Sequence, residues 1–143
     1  MALNDFTDSL PMLLYRASDA VMPRFRRIFN ESGITEQQWR VLRVLAEVNS
    51  MATRELAGVC LIPAPSLVGI VDRLQHAELV ARAPVPGDRR KVMVSITPQG
   101  MHLHDRVGPQ VTATYAELMQ SIGPRQWIAL SAALNDLLDT LED

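Results

Sequence analysis

Residues 86–91 read Pro86-Gly87-Asp88-Arg89-Arg90-Lys91, a tight basic turn between two short apolar runs. The runs, Leu79–Ala83 and Lys91–Ile96, are rich in β-branched residues and meet across a Pro/Gly/Asp loop, which is the signature of a β-hairpin. No other stretch of the chain has it. Ahead of the hairpin, residues 53–78 read as two short helices joined by a tight turn. Helix–turn–helix followed by a hairpin is the winged-helix arrangement, so the expected fold is mainly α with one small β-hairpin. Three consecutive cations at a β-tip repel one another unless Asp88 or an external anion compensates them, and the nucleic-acid backbone supplies such anions. Charged turns are more often simply solvated, so the weight falls on the combination rather than on the hexapeptide.

The formal net charge of −2 over 143 residues argues against a nucleic-acid binder until it is mapped. Between Arg54 and Lys91 lie six cations (Arg54, Arg73, Arg82, Arg89, Arg90, Lys91) and four anions (Glu55, Asp72, Glu78, Asp88). Beyond His102 only Arg106 and Arg125 face Asp105, Glu117, Asp136, Asp139, Glu142 and Asp143. The chain is therefore polarised, basic at the expected wing and acidic at its C-terminal end. Lys91 is its only lysine; the remaining basic residues are arginines, which suit bidentate contacts with phosphates, carboxylates and guanine edges, although a GC-rich genome produces the same bias.

Apolar spacing outlines the other elements. A long helix is expected over about Ser9–Asn30, opening near Pro11, kinked at Pro23 and ended by Gly33. Thr35 and Gln38 form a capping box for a second helix to about Val48. A third, about Thr53–Leu61, takes Thr53 as N-cap and is stopped by Pro63. Pro65 fits the first turn of a fourth, running to about His76. Thr97-Pro98 opens a fifth with a bend at Pro109, and Gly123-Pro124 separates it from a Leu-rich sixth. With 48% hydrophobic residues the chain can bury a core unaided. It lacks a membrane-length apolar run and the basic-then-apolar pattern of a signal peptide, so a soluble cytoplasmic protein is expected. Cys60 stands alone, which excludes an intramolecular disulfide within this sequence.

The chain resembles the MarR family of transcriptional regulators. The resemblance is carried by Glu36-Gln37-Gln38-Trp39-Arg40-Val41-Leu42, Arg54-Glu55-Leu56-Ala57, Pro65–Leu74, Leu79-Val80-x-Arg82, Asp88-Arg89-Arg90 and Thr97-Pro98-x-Gly100. Within the family, the Glu36–Arg40 and Pro65–Ile70 stretches are similar to repressors of homoprotocatechuate (4-hydroxyphenylacetate) breakdown. One position departs from the pattern: Glu78 stands where the family has glycine before Leu-Val. A left-handed residue follows the recognition helix there, so a different or strained cap is expected.

The resemblance implies one MarR-type domain, with dimerisation helices at about 9–34 and 98–143 flanking a winged helix-turn-helix at about 35–97. It makes the fourth helix the recognition helix and implies a DNA-binding set of Arg54, Pro65, Ser66, Val68, Gly69, Asp72, Arg73, Asp88, Arg89, Arg90 and Lys91. In that set Arg90 enters the minor groove and Asp88 orients it. The implied partners are a pseudo-palindromic duplex operator, a second copy of the chain and a small aromatic carboxylate effector; no cofactor, metal or membrane is implied. Arg16, Trp39, Arg40 and Arg43 are the effector candidates, since a guanidinium can hold a carboxylate through two charge-assisted hydrogen bonds. Competing assignments are Arg40 paired with Glu36, Arg43 with Glu47, and Trp39 in the core.

Three other readings stay open on the sequence. Cys60 invites a redox sensor, but no cation lies near it in sequence to lower its pKa. His102 and His104 invite a metal sensor, but residues two apart on a helix point to different faces. A helical interaction module without DNA affinity is the remaining one. Enzyme motifs such as a Walker loop, a dinucleotide fingerprint or a nucleophile elbow are absent, so the expectation is a non-enzyme.

Overall fold

Helix α3 (Glu36–Val48) begins where the capping box places it: the Gln38 amide donates to Thr35 Oγ1 at 3.1 Å, and the Thr35 amide donates to Gln38 Oε1 at 2.9 Å. The computed structural model describes residues 3–142. The other elements are α1 (Leu3–Thr7), α2 (Leu10–Glu31), β1 (Ser50–Ala52), α4 (Thr53–Cys60), α5 (Ala64–His76), β2 (Val80–Val85), β3 (Asp88–Ile96), α6 (Pro98–Ile122) and α7 (Pro124–Leu141). They form two compact units, Met22–Pro109 and Met1–Val21 with Gln110–Asp143. Pro23 and Pro109 interrupt neither α2 nor α6, and the division between the units falls within two residues of each.

The Met22–Pro109 unit holds the winged helix-turn-helix. Its core is built from Leu42 and Leu45 of α3, Leu56 of α4, Leu67 and Leu74 of α5 and Val94 of β3, all essentially inaccessible to solvent. Helices α4 and α5 are bent by 105° across a short break, inside the range of a helix-turn-helix. That bent pair is largely apolar, and each helix buries its apolar face in this core. Among the described residues no single helix is long and apolar enough to cross a membrane.

The sheet is antiparallel with strand order β1-β3-β2. The hairpin is longer than expected, with pairing from Val80–Ile96 to Pro84–Val92, an irregularity at Pro84/Val85, and Gly87 at φ 82° in the turn. Pro84 is tolerated because β2 is an edge strand, where no ladder partner needs its missing N–H. Strand β1 was not expected; three residues are too few to show a period. Its pairing of Ala52 with Met93 moves the start of α4, so Ala52 is the N-cap without a side-chain bond and Thr53 is the first helical residue, correcting the expected Thr53 cap. At the other end α4 stops at Cys60, one residue early, because Leu61 turns left-handed at φ 55°.

Glu78 adopts φ 64°, so the position does require the left-handed conformation that glycine would take without strain. The strained turn is held by its carbonyl, which accepts from Thr97 Oγ1 at 2.7 Å, while the same hydroxyl accepts from the Gly100 amide at 3.0 Å. Glu78→Gly is expected to raise stability by about 0.5–1 kcal/mol: relief of roughly 1–2 kcal/mol of left-handed strain outweighs the added freedom of the unfolded chain. A rise in the urea midpoint at constant slope checks this.

In the other unit, Tyr115 of α6 and Trp127 of α7 meet edge to face at 5.2 Å. Among the described residues α7 buries no side chain fully, and Leu130, Leu134, Leu138 and Leu141 are exposed. Leu10, Leu13, Leu14 and Tyr15 of α2 are exposed in the same unit. Apolar faces of this extent mark an association surface rather than a solvated one.

Candidate nucleic-acid interface

The residues expected to touch DNA all fall in the Met22–Pro109 unit, and the elements that carry them are those of a reading head. Arg54 lies in the first turn of α4, Pro65, Ser66, Val68, Asp72 and Arg73 lie on the exposed side of α5, and Gly69 is half-buried between them. Leu67, Ile70, Val71 and Leu74 take the opposite side of α5 into the core. The 3.6-residue period therefore separates an anchoring face from a free one. Pro63 caps α5 and Pro65 sits in its first turn, so the helix starts without a side-chain cap and its first free N–H groups point outward.

The wing carries Asp88, Arg89, Arg90 and Lys91 at the start of β3, with the three cations exposed and Asp88 half-buried. Asp88 acts on Arg90 through the backbone: its Oδ1 accepts from the Arg90 amide at 3.0 Å. That bond fixes the turn rather than the guanidinium. Among the described residues, Arg54, Arg73, Arg89, Arg90 and Lys91 have no ion pair or side-chain hydrogen bond within the protein. Five cations left unpaired on one unit are a positive surface available to an external anion.

Asp72, exposed on the side of α5 expected to face DNA, is also paired within the protein. Its carboxylate is taken by Arg82 Nη2 at 2.5 Å, and Arg82 Nε donates to Gln75 Oε1 at 2.6 Å. Arg82, on β2, thus ties the wing to two residues of α5 and sets the spacing between helix and hairpin. In the sequence Arg82 stands out only through the Leu79-Val80-x-Arg82 motif and the local excess of cations. Its partners were open to inference, since Asp72 and Gln75 lie three apart on one face of the helix that precedes the strand. Between α5 and the wing lies an open, largely apolar cleft of about 630 Å³, with Leu67, Val68, Val71 and Val92 among its walls and Arg54 and Arg82 at its edge.

Of the four effector candidates, Trp39, Arg40 and Arg43 lie in the Met22–Pro109 unit and Arg16 in the other. Trp39 is buried and stacked between Phe29 (5.6 Å) and His104 (5.3 Å), a core position. Arg40 grips Glu36 with two bonds, Nε to Oε1 at 2.7 Å and Nη2 to Oε2 at 2.9 Å, and donates from Nη1 to the Cys60 carbonyl at 2.6 Å. The hydrogen bond to Glu36 raises the Arg40 guanidinium above its ordinary range, against the opposing effect of burial. Arg40 is therefore the tie that fastens the end of α4 to α3. Arg43 is paired with Glu47 at 2.6 Å. Arg16 belongs to the other unit and is exposed; its contacts are the Thr7 carbonyl at 3.2 Å and a long pair with Asp8 at 3.6 Å.

Cys60 is buried, and burial pushes its thiol up, an effect that Arg40 opposes in part. A cation thus does stand beside this cysteine, brought there by the fold from twenty positions away, yet desolvation outweighs it. His102 is exposed while His104 stacks on Trp39, and among the described residues no three His, Cys, Asp or Glu side chains are grouped to hold a metal.

The profile of the MarR family matches residues 32–91, the stretch from the turn before α3 to the wing. The chain is 36% identical to the HTH-type transcriptional regulator FarR of Neisseria gonorrhoeae over 90% of its own length and 88% of that protein. The chain belongs to the MarR family. This MarR-family regulator is also 40% identical to the homoprotocatechuate degradative operon repressor of Escherichia coli, over 78% of the chain and 75% of the relative. Among solved structures it is similar to NadR in complex with 4-hydroxyphenylacetate, with a TM-score of 0.75 and 36% identity over 90% of this chain and 92% of that one. The sub-family resemblance seen in Glu36–Arg40 and Pro65–Ile70 is thus matched along most of the chain.

Proposed function

We propose that this MarR-family regulator is a cytoplasmic repressor of an aromatic-catabolism operon, which binds a pseudo-palindromic operator as a homodimer and is released by a phenolic carboxylate. The observation that carries the DNA-binding part is the set of five cations, unpaired among the described residues, around an α5 whose inner face is packed in the core and whose outer side stays exposed. The apolar faces of α2 and α7 supply the dimer, and two-fold symmetry then presents two α5 helices to successive major-groove faces about 34 Å apart. In this arrangement α5 enters the major groove and Arg90 the adjacent minor groove, while Arg54, Arg73, Arg89 and Lys91 serve the backbone.

The effector class follows from two relatives, a repressor of homoprotocatechuate degradation and a structure bound to 4-hydroxyphenylacetate. Such a ligand releases DNA by binding more tightly to a dimer geometry whose α5 helices miss the groove spacing. Arg16 is its anchor: Arg40 and Arg43 are already held by carboxylates at close range, whereas Arg16 has a long, solvent-exposed pair with Asp8 and one exposed bond to the Thr7 carbonyl to give up. Arg16→Ala should leave operator affinity nearly unchanged and weaken 4-hydroxyphenylacetate by about 1.5–3 kcal/mol, the scale of a hydrogen bond to a charged group. Calorimetry with the wild type and the variant checks this. Equal affinities remove Arg16 from the site, and no binding of any aromatic acid removes the effector class.

A further inference from the structure

The free face of α5 is chemically uneven. Its C-terminal half displays Asp72, Arg73, Gln75 and His76, whereas its first two turns display Ala64, Pro65, Ser66, Val68 and Gly69. In those two turns only the Ser66 hydroxyl can exchange a hydrogen bond with a base edge, and no side chain is longer than valine. Val68 is 56% exposed, although valine is among the residues most often buried. Its neighbours leave it prominent. Ala64, one turn earlier, is exposed and small, and a Cβ added at Gly69 would meet nothing within 4 Å. The isopropyl group therefore stands at the edge of an apolar cleft, on a stretch of helix slim enough to lie close against a groove floor.

The floor of the DNA major groove presents hydrogen-bond donors and acceptors with one apolar exception, the C5-methyl group of thymine. We infer that Val68 reads a thymine methyl, so that each operator half-site carries a thymine facing the first two turns of α5, chosen by apolar contact and not by a hydrogen bond. The inference rests on the reading of α5 as a major-groove helix. It assigns the chemistry of recognition to a residue that phosphate contacts could not explain, since valine has nothing to offer a phosphate.

Uracil in place of thymine removes the methyl and leaves base pairing intact. Binding sites are first selected from a pool of random duplexes with the full-length protein, and each thymine of the selected site is then replaced in turn by deoxyuridine. At one thymine per half-site the replacement should weaken binding about four-fold, the worth of one buried methyl-sized group. In Val68→Ala that penalty should vanish while the effects of replacing other bases persist. An unchanged penalty in Val68→Ala, or no thymine sensitive to replacement, overturns the assignment while leaving DNA binding standing. Failure of the pool to yield any site overturns the DNA-binding reading itself.

Discussion

Deleting residues 132–143 is expected to abolish the dimer and to weaken binding to the full operator by about 100-fold or more, the order by which linked half-site binding exceeds a single engagement. The deletion removes Leu134, Leu138 and Leu141, exposed residues of a helix that buries no side chain fully among those described. It leaves intact the Met22–Pro109 unit, with its own core and all the residues of the reading head. Because a shortened α7 can also aggregate, the double substitution Leu134→Glu and Leu138→Glu provides the second arm: it keeps the helix and places charge on the apolar face. Sedimentation should show monomer in the double variant, and a duplex containing one half-site should bind it as well as it binds the wild type. A soluble monomer that holds the full operator at wild-type affinity contradicts the architecture.

Gly100→Ala should cost about 3 kcal/mol, the upper part of the range for an overpacked site. A Cβ on Gly100 would sit inside the van der Waals envelope of the Leu79 carbonyl oxygen and 2.9 Å from Ile96 Cγ1. The first of these obstacles is backbone and cannot rotate away. Moving it breaks the bond from the Thr97 amide to the Leu79 carbonyl, 3.1 Å long, which ties the start of α6 to the end of the recognition segment. Thr97 Oγ1 grips Glu78 and Gly100 at the same place, so the damage reaches the left-handed turn that positions the wing. Denaturant unfolding at constant slope measures the loss; a wild-type midpoint would mean that α6 can withdraw from Leu79 at little expense.

Much of this arrangement was legible in the sequence because it is written locally. Thr35 and Gln38 announced α3, Pro63 and Pro65 bracketed the turn before α5, and the departure at Glu78 marked a left-handed residue that the structure contains. What stayed hidden depends on residues distant in sequence. Strand β1 exists only because β3 offers Met93, Val94 and Ser95 to pair with, and that pairing displaced the cap of α4. Arg40 reads as an effector candidate with Glu36 as a competing partner; the fold shows that pair and adds a bond to the Cys60 carbonyl, twenty positions away. Asp72 reads as part of the DNA face, and its pairing with a strand arginine ten positions on is visible only in the fold. The apolar periodicity placed the inner face of α5 correctly; the pairing of its outer charges required the structure.

The central claim is that the wing and α5 bind duplex DNA, and the salt dependence of binding by the wild type and Arg90→Ala tests it most directly. Arg90 is exposed, has no ion pair among the described residues, and contributes little to the core, so the variant should fold normally. On a selected duplex, log affinity against log salt should be steep for the wild type and shallower by about one unit for the variant, with weaker binding at each salt concentration. Superimposable salt titrations of the two proteins would contradict the account.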